Sequence, residues 1–288
     1  MAKTKGDFYF IGFGNMAQAI YQRMDKFAYE NIFLIEKSDQ RIKEIKEMSS
    51  NFPYIGSRKI AQTQIIKKLS KSKLTSTDII LLAVKPAEIK SVCAQLKPLI
   101  KEKPFIISIA AGVNSLKIMQ YLGGYSTQMI ARAMPNLCAT KAMAITGLFG
   151  DPYWYGKKGG TAEGQLVSKI FSPIGQVLWV EKESDLDSVT AISGSGPAYI
   201  YYIMNAMIDA GVELGLERSD AQRLVAQTII GAGETGKDID NLEGEIIKVS
   251  SKGGTTEKAI NIFKQKKLDV IIKQAVKAAH KKSKELSK

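Results

Sequence analysis

Up to about residue 180, the chain alternates short continuous apolar runs with longer segments in which apolar residues recur every three or four positions. Continuous apolar runs predict strands that are buried on both faces, and the longer spacing predicts helices with one apolar face. The predicted strands are Phe8–Ile11, Ile32–Glu36, Asp78–Val84, Pro104–Ala110, Gln128–Ala133, Met143–Gly147 and Gln176–Val180. The predicted helices between them include Met16–Phe27, Asp39–Met48, Pro86–Ile100 and Ala162–Phe171. This alternation predicts an α/β fold in which a doubly wound, Rossmann-like parallel sheet is covered by helices on both faces.

The pattern changes beyond about residue 182, where only helical periodicity remains. We therefore place a boundary within residues 181–186 and expect a sheet domain over residues 1–182 and an all-α domain over residues 183–288. Residues 55–77 are rich in lysine and serine with weak periodicity, which predicts a short helix and a solvated loop. The predicted helices of the second half are Pro197–Leu214, Ser219–Glu234, Asn241–Val249, Thr256–Lys264 and Leu268–Ser283.

The composition allows two cores and excludes several classes of protein. The chain has 288 residues, of which 45% are hydrophobic, and a formal net charge of +13. That apolar fraction excludes a disordered chain, and no apolar stretch reaches the roughly 20 residues that span a bilayer. The first predicted strand follows the start so closely that it leaves no room for a signal peptide. We therefore expect a cytoplasmic protein without a membrane partner.

The positions of the cysteines, the histidine and the lysines bear on metal sites and on binding partners. Cys93, Cys138 and His280 form no pair or cluster with metal-ligand spacing, so we expect no metal site. Residues 264–288 carry nine lysines against two acidic residues, which predicts an amphipathic helix with a basic face. Such a face binds RNA or anionic membranes in some proteins, but a solvated final helix is more common, and we expect no nucleic-acid partner.

A glycine loop joins the first predicted strand to the first predicted helix. The spacing is Gly12-x-Gly14-x-x-Ala17, with Asn15 and Met16 inside it. Gly12 permits the tight turn, Gly14 lets a pyrophosphate approach the backbone at the helix N-terminus, and Ala17 allows close packing of helix on strand. The string alone is a weak signal, but its place between a strand and a helix predicts a dinucleotide site.

The end of the second predicted strand carries two conflicting signals about the dinucleotide. Glu36 is placed to bond the two ribose hydroxyls of NADH, whereas Lys37, Ser38 and Arg41 are placed to hold the 2′-phosphate of NADPH. Both cofactors therefore stay open, with NADPH favoured.

Three further strand ends are followed by residues suited to contact a ligand. Ligands of parallel sheets bind beyond such ends. The small residues Ala110, Ala111 and Gly112 allow a flat ring to lie against the backbone. Asn136 offers a donor and an acceptor that suit a carboxamide such as that of nicotinamide. The residues after the remaining strand are Ala83, Val84, Lys85 and Pro86.

Two glycine-rich segments of the second half exceed what a plain turn needs. The first contains Ser193, Gly194 and Ser195 before a helix. The second runs from Lys248 to Glu257 and contains Ser251, Gly253, Gly254, Thr255 and Thr256. Free backbone N–H groups and hydroxyls at such a helix start predict an anion site of the size of a carboxylate.

Taken together, these motifs resemble the Δ1-pyrroline-5-carboxylate reductase family, whose members make proline from a cyclic imine with NAD(P)H. The resemblance runs in order from the glycine loop to about Phe263. Its most specific parts are Ser193-Gly-Ser-Gly-Pro-Ala-Tyr199 and Ser250-Ser-Lys-Gly-Gly-Thr-Thr256. It also includes Ala83-Val-Lys-Pro86, Ser108-Ile-Ala-Ala-Gly112 and Ala133-Met-Pro-Asn136.

The resemblance implies roles for these residues and for a partner. A nucleotide-binding domain is followed by a helical domain that intertwines with a second copy in a homodimer, and dimers often assemble into decamers. Val84, Lys85, Pro86, the Ala110–Gly112 backbone and Asn136 would surround the nicotinamide. Ser251, Gly253, Gly254 and the Thr255 and Thr256 backbone would hold the substrate carboxylate, and Ser193 to Pro197 would line the helical wall of the site. Thr256, near the ring nitrogen, and Lys85 are the expected catalytic residues.

The chain departs from the family pattern at several positions. The family usually has proline where Lys252 stands, Thr-Pro where Leu137-Cys138 stand, and glycine where Ala259 stands. Two alternatives follow: a related imine or hydroxyacid reductase, and a non-catalytic dinucleotide-binding sensor. The 3-hydroxyacid dehydrogenases place a catalytic lysine in the first long helix of the second domain, and residues 198–214 contain none.

Overall fold

The computed structural model describes residues 6–49, 62–69, 74–124, 129–150 and 160–287. Eight strands form one sheet in the order β3-β2-β1-β4-β5-β6-β7-β8. The strands are β1 (Phe8–Ile11), β2 (Asn31–Ile35), β3 (Gln62–Ile66), β4 (Ile79–Leu82), β5 (Phe105–Ser108), β6 (Ile130–Met134), β7 (Ala144–Gly150) and β8 (Gly175–Trp179). The helices around the sheet are α1 (Asn15–Arg23), α2 (Asp39–Ser49), α3 (Ile89–Leu96), α4 (Ser115–Tyr121), α5 (Ala162–Phe171) and α6 (Asp185–Val189). The predicted α/β class with a Rossmann-like sheet is confirmed.

Both faces of the sheet are buried from β1 to β6, as the continuous apolar strands predict. In β1, Phe8 and Phe10 belong to one core cluster and Tyr9 and Ile11 to the other, because successive side chains of a strand point to opposite faces. β7 and β8 contribute to the first cluster alone, and Leu178 of β8 is 49% exposed on the other face. Where both faces are covered, the ends of the strands are left as the place for a ligand.

Two local predictions were wrong. Residues 62–66 form β3 rather than a helix or a solvated loop, and this strand pairs in parallel with β2 alone among the described strands. Its first half, Gln-Thr-Gln, gives no apolar signal. The sheet is also not fully parallel, because β6 and β7 pair antiparallel. Fewer than the dozen or so residues needed for a helical crossover separate Met134 from Ala144, so the chain turns back through a 3₁₀ turn and a left-handed Ala142 with φ of 58°.

The chain packs as two compact units. The first comprises the described residues up to Gly194 together with those from His280 onward, and the second comprises Ser195–Ala279. The expected boundary near residue 182 therefore precedes the change in packing, and α6 packs with the sheet unit. The boundary of the functional domains stays a prediction.

The second unit is entirely helical, as expected. Its helices are α7 (Gly196–Glu213), α8 (Arg218–Gly236), α9 (Leu242–Val249), α10 (Thr255–Gln265) and the larger part of α11 (Leu268–Ser287). All residues of this unit are described, and only Ala221 and Val225 are buried in the single chain. Among the described helices, none has the length and apolar content required to cross a bilayer.

Candidate functional site

The carboxyl ends of five neighbouring parallel strands bring the expected cofactor residues to one edge of the sheet. Strands β2, β1, β4, β5 and β6 are adjacent and parallel. The strand order reverses direction at β1 and β4, which is the point where such sheets open a crevice for a ligand. The segments that follow these strands are Glu36–Ser38, Gly12–Ala17, Ala83–Pro86, Ala110–Gly112 and Asn136.

Gly12 occupies a position that no other residue fits. Its φ of 85° is left-handed, and a Cβ there would lie 2.7 Å from Val84 Cγ1 and 2.9 Å from the Ala83 carbonyl oxygen. Its N–H donates to the Ile35 carbonyl at 2.9 Å. The glycine therefore lets the loop after β1 pass close to the end of β4.

Gly14 has a different reason to lack a side chain. It caps the N-terminus of α1 with an ordinary φ of −75°, and a Cβ added to it would meet no described protein atom within 4 Å. The first-turn N–H groups of α1, including those of Asn15, Met16 and Ala17, have no acceptor within the helix. Open space beside a helix N-terminus is what a bound pyrophosphate requires.

The Glu36 carboxylate is held by backbone donors. Its Oε2 accepts from the Phe13 N–H at 3.3 Å, and its Oε1 accepts from the Lys37 and Ser38 N–H groups at 2.8 and 3.1 Å. These bonds place a negative charge beside the glycine loop. The side chains of Lys37 and Ser38 are exposed.

A cavity of about 490 Å³ opens beside the ends of β1 and β2. Three lysines, Lys37, Lys67 and Lys68, contribute to its lining. No sequence motif indicated Lys67 or Lys68. Both lie directly after β3, in the segment predicted to be a solvated loop, and Lys67 also pairs with Asp39 at 2.5 Å. The apolar lining includes Ile11, Ile35, Val92, Leu96 and Leu99.

The loop after β5 is held by an ion pair between a buried arginine and a half-buried glutamate that the sequence did not reveal. Arg132, in β6, is 7% exposed, and its Nη1 donates to Glu183 Oε1 at 3.1 Å. Its Nη2 lies 3.5 Å from the Ala110 carbonyl oxygen. Glu183 also accepts from the Ser115 N–H at 2.6 Å and the Ser115 hydroxyl at 2.8 Å, at the start of α4. The Arg132–Glu183 pair therefore ties both ends of the loop to β6, Ala110 through the guanidinium and Ser115 through the carboxylate.

Asn136 is buried, and its amide is partly committed. Its Nδ2 donates to Ser193 Oγ at 2.9 Å, and its Oδ1 accepts from the Cys138 N–H at 3.2 Å. The second contact needs an N–H at position 138, where the family usually has proline. The Asn136 amide has one further hydrogen to donate and one further lone pair to accept with. Its expected contact with a carboxamide stays a prediction.

The Lys85 side chain is exposed, and its backbone N–H donates to Glu88 Oε2 at 3.3 Å. Pro86 begins the 3₁₀ turn that leads into α3. The catalytic role expected for Lys85 stays a prediction. Cys93 is buried in α3, and burial raises the pKa of its thiol to about 12, which keeps the thiol protonated at neutral pH.

The second unit carries the other expected residues, Ser195 and residues 251–256. Gly253 is left-handed at φ of 77°, and Gly254 caps α10 so closely that a Cβ on it would lie 2.6 Å from Ser251 Oγ. Thr255 and Thr256 begin α10, whose first-turn N–H groups have no acceptor within the helix. The Gly253 N–H donates to Glu257 Oε2 at 2.8 Å, so a carboxylate of the chain itself already sits at this turn.

Two family models match this chain, one in each half. Residues 183–286 match the family model described as pyrroline-5-carboxylate reductase dimerisation, and residues 7–112 match the one described as NADP oxidoreductase, coenzyme F420-dependent. A pyrroline-5-carboxylate reductase of Pseudomonas aeruginosa is 36% identical over 215 residues, which cover 74% of this chain and 76% of the relative.

Solved structures give the same result over the full length. A pyrroline-5-carboxylate reductase of Coxiella burnetii is 31% identical, with a TM-score of 0.79 and coverage of 99% of this chain and 100% of its own. A pyrroline carboxylate reductase of Plasmodium falciparum with NADP bound is 28% identical, with a TM-score of 0.77 and 98% of each chain covered.

Substitution of Gly14 by alanine tests the space beside α1. We expect Gly14→Ala to leave the unfolding midpoint unchanged, because the new Cβ meets no described atom and the φ is ordinary. We expect the dissociation constant for a dinucleotide to rise at least tenfold, because the Cβ takes the place of a pyrophosphate oxygen. Titration calorimetry measures this, with Gly233→Ala in α8, also free of neighbours, as the matched control. Unchanged affinity in Gly14→Ala places the pyrophosphate elsewhere.

Proposed function

This chain belongs to the pyrroline-5-carboxylate reductase family, and we propose that it reduces 1-pyrroline-5-carboxylate to L-proline with a reduced nicotinamide dinucleotide. The observation that carries this proposal is the meeting of five loop segments at one edge of the sheet, with open space over Gly14 and a turn at Gly12 that only glycine fits. Similarity to two named reductases, over 74% and 99% of this chain, supports the same reaction.

The dinucleotide fits the residues at this edge. The pyrophosphate would accept from the first-turn N–H groups of α1, and the adenosine would enter the cavity beside β1 and β2. The Ala110–Gly112 backbone, Asn136 and the Val84–Pro86 turn would contact the nicotinamide. When bound, the cofactor supplies the hydride, so the protein has to orient the two rings and exclude water.

We propose NADPH as the preferred donor, with NADH as a slower one. Lys37, Lys67 and Lys68 surround the cavity with positive charge, which attracts a 2′-phosphate. Glu36 opposes that preference, because its carboxylate lies at the same strand end and accepts well from ribose hydroxyls. The three backbone donors that it already accepts from offset part of its charge. The NADP bound to the Plasmodium falciparum relative is in keeping with this choice.

The turn before α10 would hold the substrate carboxylate. Its N–H groups at Thr255 and Thr256 and the Ser251 hydroxyl form an anion site at the positive end of the helix. The Thr256 hydroxyl would donate a proton to the ring nitrogen, directly or through a water molecule, while the imine carbon is reduced. The substrate carboxylate has to reach this turn beside Glu257, whose Oε2 accepts from Gly253.

Assembly of two chains would cover the second unit. Large apolar side chains on α7 and α9 are exposed in the single chain, including Tyr202 at 81% and Ile247 at 67%. A unit of this size with two buried residues lacks a core of its own, and burial against a second copy supplies one. We propose a homodimer, further assembly into decamers, and location in the cytoplasm.

Removal of the Thr256 hydroxyl tests the proton step. We expect Thr256→Val to lower kcat about 10²-fold or more with pyrroline-5-carboxylate, because general acid assistance is lost. The dissociation constant for NADPH should stay within about twofold of wild type. Thr255→Val is the matched control, because only its backbone N–H is assigned a role. Turnover of Thr256→Val equal to that of Thr255→Val would remove Thr256 from the mechanism.

Charge changes beside the cavity test the choice of donor. We expect Glu36→Gln to raise the ratio of kcat/KM for NADPH to that for NADH several-fold, because a like charge near the 2′-phosphate is removed. Lys37→Ala should lower the same ratio about tenfold, the equivalent of about 1.4 kcal/mol. Lys43→Ala on the exposed face of α2 is the control. A ratio that is the same in all three variants would show that the 2′-phosphate does not bind here.

A charge on the exposed face of α7 tests the dimer. We expect the wild-type chain, of 31.6 kDa, to sediment at twice that mass or a multiple of it. Tyr202→Asp should shift the mass toward that of one chain, because a buried, unpaired charge opposes association. Lys266→Asp, at an exposed position already charged, is the control. A wild-type protein that sediments as a single chain contradicts the proposed assembly.

A further inference from the structure

The carboxyl-terminal turns of α11 pack against the sheet unit. The helix begins at Leu268 in the second unit, and its residues from His280 onward belong to the first. Lys281, Lys282 and Lys284 of this stretch are exposed, yet Ser283 is only 4% exposed. A basic helix that is merely solvated has no reason to bury a hydroxyl at its end.

Ser283 is anchored to the sheet unit by a short hydrogen bond. Its Oγ donates to Asp187 Oδ1 at 2.6 Å. Asp187 lies in α6, four residues after Glu183, the carboxylate that ties the start of α4 and Arg132 together. The same short segment of chain therefore holds both the loop after β5 and the end of α11.

Leu286 covers that loop directly. Gly112 is buried and left-handed at φ of 73°, and a Cβ on it would lie 2.6 Å from Leu286 Cβ and 3.0 Å from the Leu286 carbonyl carbon. Because Gly112 has no side chain, it can adopt the left-handed conformation of the turn. It also leaves room for the end of α11.

The loop after β5 is restrained at three points, each by a different part of the chain. The Ala110 carbonyl faces Arg132 Nη2, and Ser115 binds Glu183. Gly112, between them, is the residue with the greatest backbone freedom, and Leu286 lies against it. That contact limits the backbone freedom that a glycine otherwise gives the middle of the loop.

We propose that Ser283 and Leu286 are positioning residues for the nicotinamide: the carboxyl-terminal turn of α11 holds the Ala110–Gly112 backbone in the conformation that receives the ring. This inference rests on the proposed function, in which that backbone contacts the nicotinamide. A loop fixed before binding loses less conformational freedom when the ring arrives, and it holds the ring at the geometry that hydride transfer needs.

The test separates binding of the nicotinamide end from binding of the adenosine end. Ser283→Ala removes the anchoring hydroxyl, and Leu286→Gly removes the Cβ nearest Gly112. Both variants are titrated with NADPH and with 2′-phospho-ADP-ribose, which lacks the nicotinamide. We expect the dissociation constant for NADPH to rise about five- to tenfold and kcat to fall, while that for 2′-phospho-ADP-ribose stays within about twofold of wild type. Lys284→Ala, on the exposed side of the same turn, should match wild type in both titrations.

Further variants distinguish failure of this inference from failure of the proposed function. Leu286 is 53% exposed, so Leu286→Gly leaves the buried core intact, and Leu286→Ala, which keeps the Cβ beside Gly112, should bind NADPH like wild type. Gly112→Ala reports on the loop itself. If Gly112→Ala weakens NADPH but Ser283→Ala and Leu286→Gly bind both ligands like wild type, the positioning role is overturned and the nicotinamide site stands. If Gly112→Ala also binds NADPH normally, the nicotinamide does not contact this loop. Equal weakening of both ligands in the α11 variants also overturns the inference, because it indicates general loosening.

Discussion

The parallel pairing of β1 with both β2 and β4 is the interaction on which the rest of the site depends. It sets the carboxyl ends of three strands side by side, so that their loops open at one edge of the sheet. Gly12 allows the chain to leave β1 within contact distance of Ala83 and Val84, and the N-terminus of α1 then points into the opening. A side chain at either glycine of this loop would close the space that the pairing creates.

Charged side chains arrange the two ends of that edge in different ways. Beside the glycine loop, half-buried Glu36 is held by three backbone N–H groups, so its carboxylate stays at the end of β2. At the loop after β5, buried Arg132 pairs with half-buried Glu183, and removal of Glu183 would leave a buried guanidinium without its ion-pair partner, which is destabilising. The Glu36 carboxylate bears on the choice of cofactor that we propose, and the ion pair fixes a loop.

The sequence predicted what depends on local spacing. The strand–glycine–helix pattern located Gly12 and Gly14, and continuous apolar runs located seven of the eight strands. Pairing over long separations was not predictable in the same way. The first half of β3 is polar. Its two apolar residues, Ile65 and Ile66, are recognisable as part of a strand only from the pairing of β3 with β2. Glu183 is 51 residues from Arg132, and Ser283 is 96 residues from Asp187, so no local pattern joins either pair. The site roles in the second unit were implied by resemblance and stay predictions.

Transfer of deuterium from the cofactor to the product shows whether this chain reduces the imine by direct hydride transfer. Purified protein is given NADPH labelled with deuterium at the transferred position of nicotinamide C4, together with pyrroline-5-carboxylate, and the product is analysed by mass spectrometry. Direct hydride transfer at this edge predicts proline that carries a single deuterium on the former imine carbon, formed in step with NADPH oxidation. Tight cofactor binding with no imine-dependent oxidation, or proline without deuterium, would contradict the assignment of this chain as a working reductase.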